Sequence, residues 1–120
     1  MNVLTVAKQL KDYIFKPMWT IDEAIPVARE IDKTVRSFDF FACIGGSVLT
    51  NGSSSNDLDI VIIPYEGYEQ KSRRLWLYLA KEFNADEEDT DYPDLPDREI
   101  LIGKYQDKKI DFIIMKGKKL

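Results

Sequence analysis

The amino-acid sequence predicts a small α/β (α+β) domain in which helices pack on a mixed β-sheet of about four strands. Segments with apolar residues at helical spacing alternate with short apolar runs, and Gly, Pro and Asp-rich stretches separate them. The predicted order is helix, helix, strand, strand, helix, strand, strand, which is typical of a sheet with helices packed on it. The chain has 120 residues, of which 44% are hydrophobic, so one domain spanning 1–120 is expected.

Three helices are predicted from apolar periodicity. The first covers 3–15 and ends before Pro17, and the third covers 69–83. For the second, Thr20 and Glu23 resemble a capping box, whereas Pro26 favours a later start, so both starts stay open. The apolar face of this second helix is expected to contain Ala24, Val27, Ala28, Ile31, Val35 and Phe38.

Four strands are predicted from short apolar runs. Residues 40–44 (FFACI) and 57–63 (DLDIVII) are interpreted as buried strands, the second ended by Pro64. Residues 99–105 and 109–115 are expected to form a hairpin with a turn at 106–108. The polar segment 52–56 is expected to be a flexible loop, and 86–97 an acidic, solvated linker.

Composition limits the chemistry that the chain can perform. The chain contains no histidine, which excludes Ser-His triads, Cys-His pairs and HExxH zinc sites. Cys43 is the only cysteine, so no intrachain disulfide forms; it is expected to be a small buried hydrophobe in a cytoplasmic protein. Neither a signal peptide nor a membrane-spanning run is expected. The formal charge is −4, but seven of the 21 acidic residues lie in 86–97.

Three aspartates stand in otherwise apolar strands. Asp57 and Asp59 are two residues apart, so their side chains point to the same face of the strand, and Asp111 interrupts the last strand. Neighbouring carboxylates stay ionised only where cations or hydrogen-bond donors compensate them. Oxygen ligands without histidine or thiolate favour Mg²⁺ or Mn²⁺, and two such ions can support phosphoryl or nucleotidyl transfer. The structural alternative is that one aspartate caps the preceding loop and the other forms an ion pair with a lysine.

A glycine-rich turn precedes the aspartates. Gly45 and Gly46 allow a phosphate to approach the backbone, and the Ser47 hydroxyl can donate a hydrogen bond to it. An ordinary strand-to-helix turn explains the same residues. A P-loop is excluded because no lysine follows at the required position, and a GxSxG elbow because Leu49 replaces the last glycine.

Taken together, Gly45-Gly46-Ser47, a nine-residue spacer, Asp57-Leu58-Asp59-Ile60 and the later Asp111 resemble the signature of the DNA polymerase β-like nucleotidyltransferase superfamily. At this length the chain is most similar to its minimal nucleotidyltransferases. The resemblance implies the nucleotidyltransferase fold, with N-terminal helices in 1–38, a catalytic core in 39–115 and a basic tail in 116–120. It also implies that an NMP, AMP first among the candidates, moves from an NTP to a hydroxyl acceptor.

The resemblance further implies a role for each matching residue. Gly45, Gly46 and Ser47 would hold the triphosphate, Asp57 and Asp59 would bind two Mg²⁺ ions (or Mn²⁺), and Asp111 would bind the catalytic ion and help deprotonate the acceptor. The expected partners are an NTP, with ATP first, and an acceptor that the sequence does not identify, a protein among the candidates. Minimal members often act as antitoxins. Larger members carry a helical domain that binds the base and the acceptor, and here the N-terminal helices or a second subunit would have to substitute for it.

One departure from the family pattern keeps alternatives open. Many minimal members have an arginine directly after the Gly-Ser pair, where this chain has Val48; Lys71, Arg73 or Arg74 could replace it. The main alternative is therefore a non-catalytic module with the same fold that binds a protein partner or a nucleotide. A phosphohydrolase using the same metals is a third reading. The acidic segment only loosely resembles a calcium loop, because Asp91 stands where that loop needs glycine.

Overall fold

A four-stranded mixed sheet forms the centre of the computed structural model, which describes residues 17–68, 72–86 and 96–119. The elements are β1 (Trp19–Thr20), α1 (Ile21–Val35), β2 (Phe40–Gly45), α2 (Gly46–Asn51), β3 (Ser53–Ser54), β4 (Asp57–Pro64), α3 (Arg73–Phe83), β5 (Arg98–Tyr105) and β6 (Lys108–Met115). Short 3₁₀ turns follow α1 and β4. The predicted α+β class and sheet size are confirmed; the helix predicted for 3–15 lies outside the described residues.

The sheet has the strand order β2-β4-β6-β5. β4 runs parallel to β6, whereas β2–β4 and β5–β6 are antiparallel. The predicted β5–β6 hairpin is confirmed, but its turn has two residues rather than three. Gln106 and Asp107 both have positive φ, as in the type I′ turns that match the twist of paired strands, and Lys108 already pairs with Tyr105.

The start of α1 confirms the capping box. The Thr20 hydroxyl accepts a hydrogen bond from the Glu23 amide and donates one to the Glu23 carboxylate. The alternative start at Pro26 is wrong, because the helix already begins at Ile21 and includes Pro26. Proline removes one hydrogen bond near the helix start, and the buried apolar face outweighs that loss. The α-helix ends at Val35, so Phe38 lies in the following 3₁₀ turn.

The third helix is shorter than predicted. Ser72 has an extended backbone and its hydroxyl accepts a hydrogen bond from the Leu75 amide, so it is the N-cap and α3 begins at Arg73. Leu75, Leu79 and Phe83 are buried as expected from their spacing. The cap therefore determines the boundary, which the apolar periodicity alone placed too early.

The two faces of the sheet differ in burial. The covered face packs against the helices in one hydrophobic core; its central residues are Leu58, Ile60, Ile62, Leu101, Ile110, Phe112 and Ile114. The open face comprises the side chains that alternate with these. Its members include Phe41, Cys43, Asp57, Asp59, Val61, Ile63, Ile102, Lys109, Asp111 and Ile113. Several of its apolar members remain half-exposed or exposed.

Strand β2 is an edge strand, which corrects the prediction of a buried strand over 40–44. Phe40 is buried, but Phe41 is 38% exposed, and Cys43 is exposed rather than buried. Because β2 has a neighbour on one side only and its alternate residues face the open side, an apolar sequence did not ensure burial. Asp32 covers part of the edge by accepting a hydrogen bond from the Ala42 amide at 2.9 Å.

Candidate metal centre

Strand β4 positions Asp57 and Asp59. Leu58, Ile60 and Ile62 are fully buried on the covered face, which turns the residues between them toward the open face. Both aspartates are half-buried there. The apolar residues of the strand therefore fix the register that brings the two carboxylates to one place.

Strand β6 brings the third carboxylate to the same place. Parallel pairing sets Asp111 opposite Asp59 and Lys109 opposite Asp57. Asp111 is only 2% exposed. One oxygen atom of each of the three aspartates lies within 4.8 Å of the others, so the group has the dimensions of a cation site. All three ligands are carboxylates, the donor type that hard divalent cations prefer.

Lys109 supplies positive charge to this group. Its Nζ atom lies 3.8 Å from Asp57 Oδ2 and 3.7 Å from Asp111 Oδ1. Sequence reasoning did not identify Lys109, although its position two residues before Asp111 signals that both side chains share a face. Both interpretations of the aspartates, an ion pair with lysine and a metal site, therefore fit the structure. Lys109 pairs with two carboxylates that also have the geometry of a metal site.

The ionised form of the Asp59 carboxyl group is disfavoured at this site. Burial raises its pKa above the ordinary value, the negative charge of Asp57 raises it further, and Lys109 lowers it in part. A bound divalent cation would reverse this effect, because it stabilises the ionised carboxylate. The metal-free site is therefore electrostatically strained in a way that a cation would relieve.

The glycine turn lies directly against the Asp59 carboxylate. Gly45 ends β2 opposite Asp59, and Gly46 begins α2 with a φ of +60°. A Cβ atom built on Gly46 would lie 1.8 Å from Asp59 Oδ2, so no larger residue fits without moving that carboxylate. The structure places Gly45 and Gly46 at the site; Ser47 follows as an exposed residue in the first turn of α2.

The segment before β4 is held in place, which corrects the expectation of a flexible loop. Ser53 and Ser54 form β3, which pairs with β1. Ser54 is buried, and its hydroxyl accepts hydrogen bonds from the Asn56 and Asp57 amides at 3.3 and 3.2 Å. Ser54 therefore positions the start of β4; a serine three residues before Asp57 is the signal that sequence reasoning missed.

Trp19 holds the start of β6. Its indole Nε1 donates a hydrogen bond to the Lys109 carbonyl oxygen at 2.9 Å, and its ring stacks on Tyr105. Trp19 is almost fully buried, so this contact fixes the backbone from which the Lys109 side chain extends. The neighbouring Lys108 pairs with Glu23 and lies over the Trp19 ring, on the side away from the aspartates.

Among the bases suggested as substitutes for an arginine after the Gly-Ser pair, Arg73 lies away from the aspartates. Val48 is buried in the core. Arg73 lines a cavity of about 530 Å³ together with Phe40 and Ile114. Ile114 lies three residues beyond Asp111 on β6, roughly 10 Å further along the strand. Arg74 is exposed in the first turn of α3, and Lys71 lies outside the described residues.

The described ends of the remaining charged segments contact other parts of the fold. Asp86 forms a bridge with Ile102 on β5, whereas most of the suggested calcium loop falls in 87–95, outside the described residues. The start of the basic tail is tied to the fold, because the Lys116 and Lys118 amides donate hydrogen bonds to the Asp97 and Gly67 carbonyl oxygens.

Comparison of the chain with protein-family models and with curated proteins finds no match.

Across 17–68, 72–86 and 96–119, no helix is both long and apolar enough to span a membrane.

Proposed function

We propose that this protein is a magnesium-dependent nucleotidyltransferase of the minimal, polymerase β-like type. The observation that carries the proposal is the convergence of Asp57, Asp59 and Asp111, whose carboxylates lie within 4.8 Å of one another beside the Gly45-Gly46 turn. A cluster of oxygen ligands next to an open backbone turn suits a metal-bound nucleoside triphosphate.

The donor set fits Mg²⁺ or Mn²⁺. All three side chains offer carboxylate oxygens, and the ammonium group of Lys109 already lies near two of them, which indicates a place suited to positive charge. Asp57 and Asp59 would hold both ions, and Asp111 the catalytic one. When bound, such ions neutralise charge on the phosphates and on the attacking and leaving oxygens.

The residues of the chain would then act as follows. Gly46 and Ser47 would receive the triphosphate, because the turn has no side chain at Gly46 and Ser47 is exposed. An Asp111 oxygen would accept the proton of the acceptor hydroxyl. The hydroxyl oxygen then bonds to the α-phosphorus while the bond to the β-phosphate bridging oxygen breaks, and pyrophosphate leaves. The proposed donor is ATP. The candidate acceptors are protein hydroxyls, RNA ends and small molecules, and a transfer assay identifies which of them is used.

The first test measures thermal unfolding with ATP, GTP, CTP and UTP, each with and without Mg²⁺. A ligand present at 100 times its Kd stabilises the native state by about 2.7 kcal/mol, so the shifts rank the nucleotides. We expect a Mg²⁺-dependent rise with ATP that Asp59→Asn abolishes. Asp39→Asn is a matched control, because Asp39 is an exposed acid with positive φ, which asparagine tolerates.

Turnover provides the decisive measurement. The wild type should transfer label from α-labelled ATP to an acceptor in a cell extract or to a copy of itself, with release of pyrophosphate. Asp59→Asn and Asp111→Asn should lose this transfer while remaining folded. Nucleotide binding without any transfer, equally in all variants, would contradict the catalytic proposal.

A non-catalytic binding module is the second candidate, favoured by the buried Val48 at the position where many minimal members have an arginine. It predicts a stoichiometric protein partner whose capture is unaffected by Asp57→Asn and Asp111→Asn. Loss of capture in both variants would instead connect the partner to the metal centre.

A further inference from the structure

The ammonium group of Lys109 lies between two of the three candidate metal ligands. Its Nζ atom is 3.8 Å from Asp57 on the neighbouring strand and 3.7 Å from Asp111 on its own strand. Two features of the sequence produce this placement: Lys109 precedes Asp111 by two residues, and the β4–β6 register sets it opposite Asp57. The lysine therefore bridges the two strands that carry the carboxylates.

The environment of Lys109 allows its ammonium group to leave. Its side chain is 33% exposed, whereas that of Asp111 is 3% exposed, so the lysine lies on the solvent side of a buried carboxylate. Both ion-pair distances exceed those of a charge-assisted hydrogen bond, which indicates loose contacts. The flexible four-carbon stem of lysine permits the group to move into water without a change in the backbone.

Asp57 and Asp111 cannot hold the lysine and a divalent ion in the same place. Positive charges that share the same carboxylate oxygens repel each other strongly where water is partly excluded. On the basis of the metal site in the proposed function, we infer that Lys109 is a built-in counter-cation that the first divalent ion displaces. Lys109 thereby keeps the carboxylates compensated before the metal binds and sets the affinity of the site for metal.

This role makes a prediction opposite to that of a purely structural ion pair. Loss of a structural ion pair would loosen the site and weaken metal binding. Loss of a competing cation strengthens metal binding, because the divalent ion no longer exchanges with an ammonium group. The direction of the change in metal affinity therefore distinguishes the two roles.

The test is a titration of the nucleotide-free protein with Mn²⁺, in which electron paramagnetic resonance measures free Mn²⁺. Lys109→Met should bind Mn²⁺ about tenfold more tightly than wild type. Lys109→Arg, which keeps the charge, should stay within about threefold of wild type. Lys104→Met is the matched control, because Lys104 is an exposed lysine paired with Lys109 from β5 and its removal changes the net charge equally.

The result that would overturn the inference is an affinity of Lys109→Met equal to that of Lys104→Met, or weaker than wild type. Asp59→Asn assigns the bound ion to the carboxylates. If Asp59→Asn binds Mn²⁺ as wild type does, the metal centre itself and the proposed function fail. If the affinities follow the expected order but no nucleotide is turned over, only the transferase proposal fails.

A second measurement uses the wild-type protein and so does not depend on a variant that folds. Acetylation of each lysine by a small amine-reactive acetylating reagent, such as acetic anhydride, is followed by mass spectrometry with and without Mn²⁺. Lys109 should react faster once Mn²⁺ is present, since its ammonium group moves away from the carboxylates, and Lys104 should not change. An unchanged rate at Lys109, under conditions where Mn²⁺ is bound, would show that the lysine stays in place.

Discussion

The covered and open faces of the sheet are formed by the same strands but differ in burial and charge. On β4 the covered face carries Leu58, Ile60 and Ile62, all fully buried, whereas the open face carries Asp57 and Asp59 followed by apolar residues that remain partly exposed. On β6 the same alternation separates Phe112 from Asp111. Adjacent residues of one strand thus experience an apolar core on one side and a charged centre on the other.

The difference shows which parts of the sheet stabilise the folded state and which destabilise it. Burial of large apolar side chains on the covered face is the main stabilising contribution. The Asp59 carboxylate of the open face costs free energy, because burial and the negative charge of Asp57 both disfavour its ionised form. Sites that violate the rules of stable packing in this way are where function is expected.

The largest expected difference in the free energy of unfolding is between substitutions at two adjacent isoleucines that lie on opposite faces. Ile62→Ala on the covered face should lower the free energy of unfolding by about 2–5 kcal/mol, because Ile62 is fully buried and its removal leaves a cavity. Ile63→Ala, at a position 37% exposed, should cost less than about 1.5 kcal/mol. Denaturant unfolding measures both; equal losses would show that the open face is as tightly packed as the covered one.

Alanine substitutions at two glycines test the contact between the turn and Asp59. Gly46→Ala introduces a methyl group against Asp59 Oδ2 at positive φ, so strain and overpacking together should cost about 2–4 kcal/mol. Mn²⁺ binding should weaken as well, since the carboxylate must move. Gly52→Ala has the same backbone strain, with φ of +77°, but its Cβ meets nothing within 4 Å. It should cost about 1–2 kcal/mol and leave Mn²⁺ binding unchanged.

Asp32→Asn tests how much a carboxylate beside the covered face contributes to stability. Burial raises its pKa, but the Ala42 amide and Arg36 outweigh this, and the net pKa lies below the ordinary value. Its contribution is therefore present at neutral pH and is lost as pH falls through the lowered pKa. Asp32→Asn should lower the free energy of unfolding by about 1 kcal/mol at pH 7. The difference from wild type should shrink in acid, and a pH-independent difference would exclude this origin.

Asp59 should behave in the opposite way. Because its pKa in the folded state is raised, its contribution to stability is greatest below the ordinary pKa of an aspartate and is lost as pH rises through the raised value. In metal-free buffer at pH 7, Asp59→Asn should therefore raise the melting temperature by a few degrees, about 1 kcal/mol at most. Excess Mg²⁺ should reverse the order by stabilising only the wild type. A lower melting temperature for Asp59→Asn without metal would contradict the electrostatic reading.

Much of the local structure could be predicted from the sequence. The Thr20–Glu23 capping box, the apolar spacing of α1 and α3, and the β5–β6 hairpin all depend on residues close in the chain. Asp57 and Asp59 could be assigned to one face because alternation is a property of any strand. The nucleotidyltransferase interpretation of the Gly45–Asp59 segment, which stays a proposal, likewise used only the order of the residues.

Contacts between distant segments were decided by the tertiary structure. The apolar segment 40–44 is the same whether β2 is central or at the edge, and only the strand order exposed Cys43. The β4–β6 register brought Asp111 and Lys109 beside Asp57 and Asp59. Local sequence determines which face a side chain takes, because backbone geometry repeats every two residues in a strand. Which strands become neighbours depends on how all the apolar faces are buried together, and that is a property of the whole chain.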